Sequence, residues 1–304
     1  MSTPDHATFD VSAHGYSIFA HTLADMTWPE VEAAGAAGTP LLVPVAVIEQ
    51  HGYHLPLATD TYGAHLLCVL IRQRMAERGV RVLIAPPFYY GLNTTTGMFP
   101  GSLVIKPETM AALLTETLEN YASWGLRRQF IVNHHGDPEH NRVIVDSILA
   151  VRSRGVQATY LLGGMIQTFV DAAYESTFKR PLPLPPEAVI RAGESERTRD
   201  ARIRLTRSRG IDVHAGERET SLIMRWHPAA LPSGIDLQSI QAVPDTLREF
   251  HEAESTGRWR ELSPWGHIGD PAAATVENAE LYEFEAADMA DALSRYLEES
   301  AEQR

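Results

Sequence analysis

The chain predicts an α/β fold, a three-layer sandwich with a mostly parallel central sheet, and three observations carry that prediction. Short apolar, β-rich runs alternate with helical stretches through the first half. Those helical stretches are amphipathic and end at glycines. Clusters of polar and charged residues follow directly on three of the strand runs, which is where ligand sites lie in parallel sheets.

The elements follow in order. PLLVPVAVIEQ (40–50) reads as the first strand, with Pro44 as an irregularity. Residues 61–78 read as a helix, because Ala64, Leu67, Cys68, Ile71 and Met75 share a face and Gly79 follows. VRVLIA (80–85) reads as a strand, and 86–102 as a turn-rich loop by its Pro, Gly, Asn and Thr content. A helix is expected over 106–125, with Pro107 in its first turn. The pattern then gives a strand at 128–133, a helix at 141–155 and a strand at 156–164. Residues 175–212 turn rich in Pro and Arg and are expected to form an insertion or lid, with Arg202, Arg204, Arg207 and Arg209 on a solvated face. A final helix carries Leu281, Phe284, Met289, Ala290 and Leu293 as its apolar stripe. The expected organisation is one domain over 1–304, preceded within it by an N-terminal arm (1–26) that holds His6, His14 and His21.

Composition narrows the function. A net charge of −13 argues against nucleic acid or an anionic membrane as the main partner, since both reward basic patches. The N-terminal stretch has no basic region followed by an apolar one, and no apolar run reaches a membrane span. The single Cys68 cannot form an internal disulfide and is expected in the core. A cytoplasmic protein is the expectation. There is no Gly-x-Ser-x-Gly elbow, and HEAES (251–255) is not a His-Glu-x-x-His helix.

What remains is a set of carboxylates and imidazoles. Glu49 and His51 follow the first strand and, two apart, point to the same side of an extended segment. Asp60 sits at a helix start, His135 in NHHGDPEHN (133–141) after the third strand, and His214, Glu217 and Glu219 in HAGERETS (214–221). Imidazole with carboxylate and no thiolate suits Zn²⁺, Mn²⁺ or Fe²⁺. A plain salt-bridge network is the competing reading of the same residues.

PVAVIEQHGYHLPLATD, FPGSL (99–103), NHHG (133–136), HAGERETS and GHIGDPAAAT (266–275) occur in the order seen in the creatininase family of metal-dependent amidohydrolases. The chain resembles that family from about Trp28 to Glu280. The resemblance implies two divalent metal ions (Zn, Mn or Fe), with Glu49, His51, Asp60 and His135 as ligands and Asp60 as the bridge. It implies His214 as the proton-transfer residue and Glu219 as either catalytic acid or further ligand, and a homo-oligomer, hexameric in many members. Asp137, Glu139 and Glu219 compete for the fifth ligand position, with Glu219 preferred. Tyr90, Asn93, Thr95 and Phe99 are the substrate-lining candidates. NTTT (93–96) stands where many members carry Ser-x-Glu-His, and no tryptophan in 156–213 matches those of the creatininase pocket, so creatinine is not the expected substrate. The expected function is hydrolysis of a small non-peptide amide, cyclic or open, by a metal-bridging hydroxide. The alternatives are a deformylase or lactonase on the same centre, or a non-catalytic maturation protein that binds a metabolite or peptide.

Overall fold

A computed structural model of the chain describes residues 17–167, 170, 185–243, 248–249, 252–253 and 256–302. His6, His14 and the 175–184 stretch lie outside these residues. The described chain runs α1 (Trp28–Ala36), β1 (Leu41–Val45), α2 (Thr59–Glu77), β2 (Leu83–Ile84), α3 (Pro107–Ser123), β3 (Arg128–Asn133), α4 (Pro138–Arg152), β4 (Gln157–Leu162), β5 (Val189–Arg191), α5 (Glu196–Leu205), α6 (Glu217–Trp226), α7 (Trp259–Leu262) and α8 (Glu280–Glu302). The strands form one parallel sheet in the order β2-β1-β3-β4-β5.

Period-two alternation divides the core into two faces. Leu41, Val43, Val45 and Ile131 join Leu114 and Leu118 of α3 and Ile144 and Ile148 of α4 on one side. Leu42, Phe130 and Val132 join Leu67 and Ile71 of α2, Leu222 and Ile223 of α6 and Met289 and Leu293 of α8 on the other. The three layers expected from the sequence are therefore present. Cys68 is fully buried on the α2 side.

The second strand is shorter than its apolar run, two residues instead of six, and Pro44 limits it at its carboxyl end. The carbonyls of Pro40, Leu42 and Pro44 accept hydrogen bonds from Leu83, Ala85 and Phe88, so the nitrogen of residue 44 also faces β2. A proline offers no donor there, and regular pairing stops after Leu42↔Ile84.

The 175–212 segment departs from the expected insertion or lid in its described part. Val189–Arg191 pairs with β4 as the sheet's fifth strand, and α5 packs on α8. A three-residue strand is too short to show a period, which hid it behind the Pro and Arg content. Arg202, Arg204, Arg207 and Arg209 are exposed, with Arg202 held 2.7 Å from Glu194. No helix among the described residues is long and apolar enough to cross a membrane.

One close approach fixes how α1 enters the fold. A Cβ on Gly35 would lie 1.8 Å from the carbonyl oxygen of Trp124, a backbone atom that cannot swing aside. Gly35→Ala is expected to lower stability by about 1–3 kcal/mol, read as a lower urea midpoint at an unchanged slope. An unshifted midpoint would show that the α1–α3 contact is soft.

Candidate metal centre

The strand order reverses direction between β1 and β3, so their carboxyl ends flank the crevice where this topology places ligands. Val45 pairs with Asn133 at the last register position, and the segments carrying Glu49, His51, His134 and His135 leave side by side. The loop after β1 then doubles back: Glu49 N–H donates to Leu57 O at 3.0 Å and Thr61 Oγ1 to Val47 O at 2.9 Å. That return sets Asp60, in the first turn of α2, against the strand ends. Glu219 arrives from the first turn of α6, and His214 from the segment bridged to Ile268.

Glu49, His51, Asp60, His135 and His214 are buried, and Glu219 nearly so. His135 Nδ1 lies 2.9 Å from Glu49 Oε1 and 3.0 Å from Asp60 Oδ2. His51 Nε2 lies 3.5 Å from Asp60 Oδ1 and 3.7 Å from Glu219 Oε2. His214 Nδ1 lies 3.8 Å from Glu49 Oε1.

The outer nitrogens decide what these distances mean. His135 Nε2 donates to Leu92 O at 2.9 Å, His51 Nδ1 to Glu49 O at 3.1 Å, and His214 Nε2 to Gln50 O at 2.6 Å. Each neutral ring therefore turns a bare lone pair toward carboxylate oxygens, an arrangement that repels unless a cation sits between them. His51 Nε2 and Asp60 Oδ2 have no hydrogen-bond partner despite full burial. A proton can supply the missing charge: burial opposes ionisation of His51, but Asp60, Glu219 and Glu49 prevail and push it up to about 10. His135 is raised for the same reasons by Glu49 and Asp60 against its burial. Asp60 is held well below the usual carboxylate range, since His51 and bonds from His134 and His135 outweigh burial. A divalent ion answers the same demand. Glu49, Asp60 and His135 form one group whose ligand atoms lie within 4.8 Å of each other, and His51, Asp60 and Glu219 form a second that shares Asp60. Glu49, His51 and His214 form a third. The donor set fits a divalent metal.

The surroundings hold these groups in place. Thr96 Oγ1 donates to Glu49 Oε2. Ala215 has a left-handed φ of 52°, costly for a residue with a Cβ, and its N–H donates to Glu219 Oε2 at 2.5 Å. The centre opens on a cavity of about 40 Å³ that Gly136, Met165, Asp212, Val213 and Arg218 also line. Burial raises Asp212 to about 7, with Glu219 and Glu217 adding to the shift and the Arg218 N–H opposing it.

Some expected site residues lie elsewhere. Asp137 caps α4: Oδ1 accepts from His140 N, and Oδ2 from the N–H and hydroxyl of Thr94. A helix that starts at Pro138 occupies that carboxylate. Glu139 pairs with Arg142 at 2.7 Å on the outer face of α4. The contender in the cluster is Glu219. Asn93 is buried but donates to Ile48 O and Leu103 O, which makes it a loop clamp. Phe99 packs with Trp259 and Ile268, and Tyr90 lies against Tyr89 and Phe88. Thr95 precedes a single 3-10 turn. None of these four lines the cavity among the described residues. Glu217 accepts from Arg207 N and Ser208 N, away from the centre.

Fold and site together define a doubly wound α/β protein with a buried His/carboxylate centre at its switch point. The family model described as "Creatininase: Creatinine amidohydrolase" matches residues 24–295, and the chain belongs to the creatininase family. It is 32% identical to the "Creatinine amidohydrolase" of Pseudomonas putida over 272 residues, 85% of this chain and 90% of that one. It is 28% identical to the "Mycofactocin precursor peptide peptidase" of Mycobacterium ulcerans (strain Agy99), over 82% of this chain and 78% of the relative. Two solved structures share the fold. One is described as "Creatininase Mn" (TM-score 0.63, 22% identity, covering 91% of this chain and 98% of that one). The other is a mutant creatininase described as "Zn-Zn type" (TM-score 0.59, 21% identity, 92% and 98%). Family members are hydrolases, which agrees with the reaction class expected from the sequence.

Proposed function

We propose that this protein is a metal-dependent hydrolase that adds water across the C–N bond of an amide. The observation that supports it most directly is the buried cluster in which His51, His135 and His214 turn bare nitrogens toward the carboxylates of Glu49, Asp60 and Glu219. Glu49, Asp60 and His135 would hold one divalent ion, and His51, Asp60 and Glu219 the other. Such ions supply Lewis acidity and lower the pKa of water toward neutrality.

The protein's own residues do the rest. Asp60 orients both ion positions, and Thr96 holds Glu49 through its hydroxyl. His214 is anchored at Nε2 by Gln50 O, which leaves Nδ1 free to accept a proton and return it to the leaving nitrogen. Amide chemistry is the element common to the names of the two relatives, a creatinine amidohydrolase and a precursor peptide peptidase. The "Mn" and "Zn-Zn" descriptions of the structural relatives favour those two metals. A homo-oligomer and a cytoplasmic setting belong to the same reading.

The test is elemental analysis of protein purified without chelator, followed by a panel of small cyclic amides, short peptides, formamides and lactones. About two Zn²⁺ or Mn²⁺ per chain and chelator-sensitive release of amine from amides are expected. Turnover confined to formamides or lactones would overturn the amide assignment. A chain that takes up no divalent ion would return the cluster to a salt-bridge network.

A further inference from the structure

Asp60 makes one contact that neither ion position explains. The Nδ1 of His134, the residue before His135, lies 3.1 Å from Asp60 Oδ1. Its Nε2 lies 3.1 Å from the hydroxyl of Tyr282 on α8. Both rings are buried, 2% and 0% exposed, and they stack at 5.6 Å with 24° between planes. The ring also fills space reserved for it: a Cβ on Gly63 of α2 would lie 2.6 Å from His134. Gly63 is one turn from Asp60 on the same helix, so ring and carboxylate are set by one short piece of backbone.

We infer that Tyr282 and His134 are positioning residues that fix Asp60 for metal binding by selecting the His134 tautomer. The phenol O–H donates to His134 Nε2, which places the ring proton on Nδ1. That N–H then donates to Asp60 Oδ1 and prevents the carboxylate from rotating. The opposite tautomer would face Asp60 with a lone pair and leave the carboxylate free to turn. Arg218 supports the phenol from beyond, with its guanidinium 4.7 Å from the Tyr282 ring centroid and paired with Glu285. Outer partners of this kind alter metal affinity by about 10–100-fold. The inference rests on the proposed metal centre but concerns residues outside it.

The experiment measures Zn²⁺ affinity by competition with a chromophoric chelator, Co²⁺ absorption spectra and the thermal midpoint of the metal-free protein. Tyr282→Phe keeps the stacked ring and removes the donor, and is expected to weaken Zn²⁺ binding by roughly tenfold. At position 134, Asn carries an amide N–H near the place of Nδ1, whereas Gln carries one near Nε2. His134→Asn is therefore expected to stay within about threefold of wild type and His134→Gln to lose at least tenfold, with an altered Co²⁺ spectrum. Affinities within twofold of wild type for Tyr282→Phe and His134→Gln would overturn the inference and leave the metal centre standing. Equal losses in Asn and Gln, tracking a lower metal-free midpoint, would reduce His134 to a packing residue and also overturn it. Wild-type protein that binds neither ion overturns both the inference and the metal centre.

Discussion

Asp60→Ala is expected to lose both metal ions and at least about a thousandfold of hydrolytic activity, while Glu219→Gln loses mainly one ion. Asp60 belongs to both the His135 and the His51 groups, and its two oxygens face different histidines. Removing it takes a ligand from each ion position and also strands His134. Glu219 belongs to the His51 group alone. Metal content per chain, compared between the two variants and wild type, reads the difference directly. The substitution also leaves fewer buried negative charges facing the histidines, so the variant should fold. Retention of about two ions by Asp60→Ala would remove the bridging role and move the shared ligand to Glu49.

Acid should destabilise the metal-free protein well before its carboxylates titrate. Burial holds His54 down to about 3, His65 to about 4 and His227 to about 3, with neighbouring histidines or Arg72 adding to each shift. A depressed histidine is neutral in the folded chain and protonated in the unfolded one between its folded value and the ordinary 6.5. The stability it contributes is complete above pH 6.5 and is lost as pH falls toward 4. Asp212 acts in the opposite direction, since its raised value makes the folded chain hold a proton there that the unfolded one releases. His51 and His135 are protonated in both states over this window and contribute no slope. Three protons against one in these four groups leave a slope of up to about 3 kcal/mol per pH unit near pH 5, to which His140, held well below its ordinary value by burial and His135, adds in the same direction. Urea midpoints between pH 4.5 and 6.5 measure it. His227→Gln should flatten the curve by about 1.4 kcal/mol per unit, and an identical slope in that variant would mean that His227 is not the neutral buried group described.

The sheet, its parallel sense and the convergence of motifs at its rim were legible because period and position carry them. Glu49, His51, Asp60 and His135 stand at strand ends and at a helix start, where residue type and topology agree. His134 was overlooked, although it is the first residue after β3, at the strand end where His135 was expected. Asp60 lies between the rings of His135 and His134, and Tyr282 backs the ring of His134. Tyr282 was hidden because α8 reads by its aliphatic stripe, in which a phenol looks like filling. Phe284 shows the converse, sitting partly exposed under the Arg197 guanidinium. The loop after β2 could not be read at all. Its Asn and Thr residues divide between clamping carbonyls, holding the Asp137 that caps α4 and holding Glu49, and such roles depend on neighbours far away in the chain.

The residues that would hold metal in the proposed centre are spread from residue 49 to residue 219. No short stretch of the unfolded chain can chelate an ion with this set, so metal cannot nucleate folding here as it does in small zinc domains. During synthesis Glu49, His51, Asp60 and His135 emerge long before Glu219. A half-built centre could therefore capture an ion that α6 later encloses. On the proposed function, the metal the mature protein keeps would then reflect the ion supply of the compartment at the moment of closure as much as the preference of the finished site.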